Sequence, residues 1–262
     1  MSKKLIIPAS LKQIEDYSKK IDGILVPLKD YSINFENTFT LDELDKMICN
    51  NKEVFVLMNK NFHHTELEGL KNTLEKLNDK KISGIFFYDL AIMNVKEKIK
   101  HPLIWAQEHL TTSDCSMNYW HSKGVYGTLL SNEITKEEIK EIRKNTQSTL
   151  FLITFGYIPI FTSKRHLVEN YLKTFHLQSK NNYALEKENK KYIIHDNKYG
   201  TFVYTNHILD IREDVKDLKI DYEIYNANDI NEEVFKKAMN DEQIENTDKG
   251  FFYTETIYKV KK

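Results

Sequence analysis

The sequence predicts an α/β fold: a (β/α)8 TIM-type barrel with a small β-hairpin insertion after the seventh strand. Three observations predict it. Eight short apolar runs alternate with amphipathic segments along the chain, the pattern of repeated βα units. The runs are nearly all apolar rather than alternating, which suits strands covered by helices outside and by side chains inside. A length of 262 residues is ordinary for one such barrel.

Taken in order, the first run is LII from Leu5. SLKQIEDYSKK follows it, with Ser10 as a cap and Leu11, Ile14 and Tyr17 on one helical face. GILV from Gly23 leads to TLDELDKMICN, where Thr40 and Glu43 form a capping box. VFVLM from Val54 precedes TELEGLKNTLEKL, which places Leu67, Leu70, Leu74 and Leu77 at helical spacing. GIFFY from Gly84, LIWA from Leu103 and VYGTLL from Val125 come next. A second capping box, Thr135 with Glu138, opens TKEEIKEIRKNT. LFLITF from Leu150 is the seventh run and LKIDYEI from Leu218 the eighth, followed by the helix NEEVFKKAM.

The interval from Phe155 to Leu218 is about twice the length a βα crossover needs. It contains a helix through KRHLVENYLKTF and then an alternating stretch with turn residues at Asn189 and from Asn197 to Gly200, read as a β-hairpin or small three-stranded sheet. The expected organisation is one barrel domain over residues 1–262, with an insertion at 176–211 and an extended C-terminal segment at 250–262 packed on the body.

Charge is balanced, 38 basic against 39 acidic residues, so nothing global advertises a nucleic-acid or membrane surface, and any anion site must be local. Mean hydropathy is -0.55. No window approaches the roughly 18 apolar residues of a membrane span, and the polar start lacks a secretory signal. The expected compartment is the cytoplasm, with no membrane partner; oligomeric state is left open. The two cysteines, Cys49 and Cys115, have neither redox nor paired-ligand spacing.

Barrels of this kind gather their chemistry at the C-terminal ends of the strands. That rule selects Asn59 after the third strand, Gln107 and His109 after the fifth, Glu133 after the sixth, Lys164, Arg165 and His166 after the seventh, and Lys219 and Asp221 at the eighth. Glu133 and Asp221 are the candidate catalytic carboxylates, a pair suited to proton transfer. The other seven are candidate substrate-binding residues. Structural alternatives stand beside these roles: Glu133 as a helix cap or lysine partner, Asp221 in an ion pair, and Ser163 capping a helix while Lys164 and Arg165 stay solvated. His63, His64 and Glu66 are read as a helix start rather than as metal ligands. Ser113 and Cys115 have no glycine elbow and are not read as nucleophiles.

Four segments, HLTTSDCSMNYWHSKGVYGTLLSNEITKEEI from His109, LFLITFGYIPIFTSKRHLVENY from Leu150, LKIDYEIYNANDI from Leu218 and GFFYTETIYKVKK from Gly250, together cover most of the second half. In them the chain resembles the collagenase-like peptidases, family thirty-two of unknown catalytic type, and particularly their short bacterial members. The resemblance implies a barrel-like catalytic domain and a hydrolase acting on peptides. It also implies an alternative, since other relatives take part in hydroxylation of RNA bases or of a quinone precursor, several with an iron–sulfur cluster. The family signature meets Gly156 and Ile158 here, but Pro159 and His166 stand where its cysteines would be, so an iron–sulfur cluster is not expected. Glu133 is kept, Asn132 replaces a frequent arginine before it, and Lys219 stands in place of an arginine near Asp221. No cofactor is called for, although two carboxylates and a histidine leave room for a divalent metal ion. Peptide hydrolysis, participation in tRNA or rRNA base hydroxylation, and a catalytically inactive binding or regulatory barrel are the three functions these residues permit, with peptide or RNA as the partner.

Overall fold

The structure, a computed structural model, describes residues 2–48, 52–178 and 183–254. Seven strands alternate with helices in chain order: β1 (Lys3–Ile7), α1 (Leu11–Asp16), β2 (Gly23–Pro27), α2 (Leu41–Ile48), β3 (Glu53–Met58), α3 (Leu67–Asn78), β4 (Gly84–Phe87), β5 (Leu103–Trp105), α4 (Asp114–Ser122), β6 (Gly127–Leu129), α5 (Lys136–Asn145) and β7 (Thr149–Gly156). A 3-10 segment, Met93–Lys98, replaces an α-helix between β4 and β5. After β7 come β8 (Pro159–Ser163), α6 (Leu167–Thr174), β9 (Tyr183–Lys187), β10 (Lys190–Asn197), β11 (Gly200–Tyr204) and β12 (Ile208–Asp210). The chain then resumes its rhythm with β13 (Tyr222–Asn226), α7 (Glu232–Met239) and the short β14 (Thr247–Asp248). Strands β1 to β7 pair in parallel, and β13 pairs in parallel with both β1 and β7. The eight-stranded parallel barrel is therefore closed, and each expected run supplies one strand.

Strand pleating divides the core. Leu5, Leu25, Phe55, Phe86, Ile104, Phe151 and Tyr222 belong to an inner cluster, while residues on the opposite face, such as Ile6, Ile24, Val54 and Ile85, meet the helices. The Phe151 ring stacks on Tyr222 with centroids 4.4 Å apart, and Phe55 and Phe86 meet it edge-on at 5.6 and 4.8 Å. Tyr222 opens its strand and Phe55, Phe86 and Phe151 are each the third residue of theirs, so aromatic side chains fill the barrel interior short of the strands' C-terminal ends. The cleft must open at the other end. The capping readings hold: Ser10 accepts from the Gln13 amide, and Thr40 with Glu43 and Thr135 with Glu138 bond reciprocally.

The insertion is larger than expected. β8 is recruited from PIFTS immediately after β7, so the side sheet has four antiparallel strands in the order β8-β11-β10-β9. Glu188 and Asn189 both have positive φ, the left-handed pair of a two-residue hairpin turn between β9 and β10. Gly200 is required where β10 turns into β11: its φ is +125°, and a Cβ there would lie 1.9 Å from the Ser163 carbonyl oxygen. β12, although inside the expected insertion, belongs to the main sheet and pairs antiparallel with the end of β7. Of the C-terminal segment, Phe252 is buried and its carbonyl accepts from the Lys136 amide at 2.9 Å. Residues 255–262 lie outside the described residues, as do Cys49 and Lys180.

The eighth strand begins at Tyr222 rather than Leu218, which relocates two candidate site residues. Leu218 and Ile220 are apolar because they pack in the outer core beneath α5, with Lys219 at a positive φ of 52° between them. Asp221 and Lys219 therefore lie at the N-terminal end of the barrel, and their expected place at the mouth is corrected. Asp221 accepts from the Leu150 amide at 2.8 Å and from Arg143 at 3.0 Å, the structural ion pair weighed against catalysis above.

Candidate functional site

At the C-terminal ends of the strands lies a cleft of about 750 Å3. Its floor is apolar, formed by Ile33, Ile153 and Ile158, and β8 supplies one wall through Pro159 to Thr162. The polar lining comes from five strand ends: Asn34 after β2, Asn59, Lys60 and Asn61 after β3, Tyr88 after β4, His109 after β5, and Ser131, Asn132 and Glu133 after β6. Lys164, Lys198 and Tyr199 reach it from the side sheet.

Of the nine candidate site residues, the structure brings four together here: Asn59, His109, Glu133 and Lys164. Asn59 is buried and fully engaged, accepting from the Ile33 amide at 2.9 Å and donating to Asn34 Oδ1 at 2.8 Å. It fastens the loop after β2 to the strand-end array. Glu133 neither caps α5, which Thr135 does, nor pairs with a lysine among the described residues. Its Oε1 stands 3.9 Å from His109 Nδ1, and both side chains are 60% exposed. A carboxylate and an imidazole at that separation can pass a proton to and from a bound molecule once a ligand excludes water.

The other five do not line the cleft. Gln107 lies beside it, its carbonyl accepting from the Thr111 hydroxyl at 2.9 Å. Arg165 is exposed, with its amide donating to Ser163 Oγ at 3.1 Å. The His166 ring is turned to Asp196, 2.9 Å away, and the same carboxylate accepts from the Val168 and Glu169 amides. Asp196 therefore caps α6, a role the sequence suggested for Ser163. Lys219 and Asp221 are at the far end of the barrel.

This bears on cofactors. The two positions where the resemblance implies cysteines hold Pro159, in the cleft wall, and His166, already bonded to Asp196. These donors do not fit a thiolate-held cluster. With Asp221 at the base, the two carboxylates suggested for a divalent ion do not meet, and the histidine beside Glu133 is His109. Among the described residues no three His, Cys, Asp or Glu side chains form a metal-holding group.

Four features escaped the sequence reading. Lys60 pairs with Glu66, lies 5.4 Å from the Tyr199 ring centroid, and holds the Glu66 carboxyl below its ordinary range. Lys198 and Tyr199 both reach Asp30 after β2, and Lys198 lowers the Asp30 pKa. The Tyr204 hydroxyl donates to the Asn34 carbonyl at 2.5 Å. His195 pairs with Asp229 after β13 at 2.9 Å; that hydrogen bond raises the imidazole pKa, against the opposing effect of burial. All four tie the side sheet, or the turn between β10 and β11, to loops at the barrel mouth distant in sequence, and apart from the polar positions themselves no local signal marks them. Ser113 caps α4, the reason for its polar neighbourhood, and Cys115 is exposed on that helix.

Comparison with known proteins adds three findings. The model of peptidase family U32 matches residues 11–257. The chain is 27% identical over 217 residues to tRNA hydroxylation protein P2 of Bacillus subtilis, covering 76% of this chain and 70% of that protein. It is 22% identical over 162 residues to tRNA hydroxylation protein P1 of the same organism, and 27% identical over 151 residues to an uncharacterized protease of Methanocaldococcus jannaschii. The matched regions amount to 37% and 36% of those two proteins, little more than a third of their length. A solved structure of a U32 peptidase aligns with a TM-score of 0.59 at 12% identity, over 88% of this chain and 94% of that one, a likeness of fold alone. Among the described residues no helix is long and apolar enough to cross a membrane.

Proposed function

The chain belongs to peptidase family U32, and from that premise we propose that it serves tRNA modification of the hydroxylation type, holding a nucleotide in the mouth cleft, rather than hydrolysing peptides. The observation that carries this reading is the cleft lining: an apolar floor and the aromatic rings of Tyr88 and Tyr199, framed by Lys60, Lys164 and Lys198. A flat base suits the former and phosphate the latter. The similarity to the two tRNA hydroxylation proteins supports the same choice. Peptide hydrolysis, the function first in order from the sequence, leaned on Glu133 and Asp221 acting together, and they occupy opposite ends of the barrel. In the proposed role Glu133 and His109 handle a proton at the bound base, Lys164 meets a phosphate, and Asn59 positions the loop behind them.

The test is mass spectrometry of nucleosides from total tRNA of host cells lacking the gene. Loss of a hydroxylated nucleoside, restored by the wild-type gene, is expected; an unchanged nucleoside profile refutes the reading. Cleavage of a peptide library by the pure protein, with or without divalent metals and above a Glu133→Ala control, would restore the peptidase reading. The dispersal of the candidate residues favours one further reading, a barrel that binds RNA without catalysing. Full rescue by Glu133→Gln would select it.

A further inference from the structure

Helix α6 is amphipathic, yet none of its residues is buried. Val168 and Leu172 are half-covered on the side sheet, whereas Leu167, Tyr171 and Phe175, spaced by four, remain exposed, the two rings at 57% and 58%. The strand registers identify the face on which it rests. Asp196, Thr201 and Ser163 form one cross-strand row, and Asp196 and Thr201 bond the start of α6, so α6 lies on their face. Two residues along each strand, Ile194, Val203 and Phe161 share that face; so do Tyr192 with Leu185, and Lys190 with Lys187 at the hairpin tip. Phe161 and Leu185 are about half exposed. The opposite face, with Phe202 and His195, is turned to the barrel.

The charge of this unit differs from that of the body. Residues 159–204 hold eight Lys and Arg against four Asp and Glu, and the rest of the chain holds 30 against 35. Within the unit Glu169 pairs with Lys173 and Asp196 is committed to His166. Lys164, Arg165, Lys187 and Lys190 form no ion pair with a described residue. Exposed rings interleaved with unpaired cations are what a single-stranded nucleic acid recognises, since every base has a face to stack and every phosphate a charge to place. An apolar protein partner would have no use for the cations. The surface is also continuous with the cleft, because Phe161 and Lys164 line both.

We propose that the outer face of the side sheet with α6 is a docking platform for a single-stranded RNA segment, stacking bases on Phe161, Tyr171 and Phe175 and leading the strand past Lys164 into the mouth. This rests on the tRNA reading above and names how the RNA is held outside the cleft. The platform explains why a barrel of modest global charge can bind a polyanion: the cations are concentrated where the rings are.

The test uses the full chain and a fluorescein-labelled single-stranded 12-nucleotide RNA of mixed sequence, read by anisotropy across a salt series. The variants are Tyr171→Ala with Phe175→Ala, and Lys187→Glu with Lys190→Glu; all four residues are exposed, and circular dichroism checks that the fold is kept. The aromatic pair should weaken binding by about tenfold per ring lost. The lysine pair should flatten the dependence of log K on log salt by roughly 0.7 for each phosphate contact removed. If wild type binds RNA, and tRNA competes, but both variants bind equally well, the platform is overturned while the tRNA reading stands. Failure of wild type to bind either RNA overturns both. If sedimentation velocity finds a wild-type dimer that the aromatic variant splits, with RNA binding untouched, the occupant is a second copy and the proposal fails.

Discussion

The closed barrel and the side sheet are both β-structure from one chain, yet they spend their residues in opposite ways. Every barrel strand has a partner on each side, and Leu5, Ile24, Ile85, Phe86, Ile104 and Phe151 are sealed from water. In the side sheet β11 alone is largely buried, β8 and β9 are edges, and α6 rests on the sheet without burying a residue. Apolar burial at roughly 25 cal/mol per Å2 places nearly all the stability in the barrel. The side sheet, held to the mouth by Tyr204, Lys198, Tyr199 and His195, is free to present rings and cations to a ligand.

That division can be broken most severely from within the barrel. Phe151→Ala removes the ring on which Tyr222 stacks and leaves a cavity among Phe55 and Phe86. It should destabilise the whole molecule by about 3–5 kcal/mol in urea denaturation followed by circular dichroism. A loss below about 1 kcal/mol would mean that the aromatic filling does not govern stability. Gly200→Ala attacks the side sheet instead, at a backbone position closed to a side chain. It should cost about 1–3 kcal/mol, read by hydrogen exchange as faster exchange in β8 and β11 with barrel amides still protected. Equal loss of protection in both regions would make them a single cooperative unit.

The smallest effect concerns the joint between the two regions. The His195 pKa is raised above its ordinary 6.5 in the folded protein by Asp229, so the stabilisation from this pair is complete below about pH 6.5 and is lost as pH rises through the raised value. Exchange of β10 and β11 amides, corrected for intrinsic chemistry, should indicate tighter docking at pH 6 than at pH 9. His195→Gln should abolish the difference; a pH response surviving in that variant would assign it to another group.

The fold was legible because barrel strands are buried on both faces and announce themselves as apolar runs, and because caps such as Thr135 with Glu138 are local. The site was legible in half. Glu133 and Asn59 follow directly from being at strand ends. Asp221 misled for a physical reason: Leu218 and Ile220 are apolar through packing under α5, which lengthened the eighth run at its beginning and moved the apparent strand end. β8 was missed as a side-sheet strand because PIFTS continues the apolar texture of β7, and the break at Gly156 is a single residue with φ of +131°. Contacts such as His195 with Asp229 depend on register between units and have no sequence period to reveal them.

Closure of the barrel by β13 has a consequence for synthesis. Until residue 226 has left the ribosome, β1 and β7 are both open edges of a seven-stranded parallel sheet. The seventy residues between Gly156 and Asn226 take on the order of several seconds to translate. During that delay the side sheet, built from local hairpins, can form first, and β12 can already cover the end of β7. A nascent chain halted before Tyr222 would leave β1 and β7 without the strand that joins them.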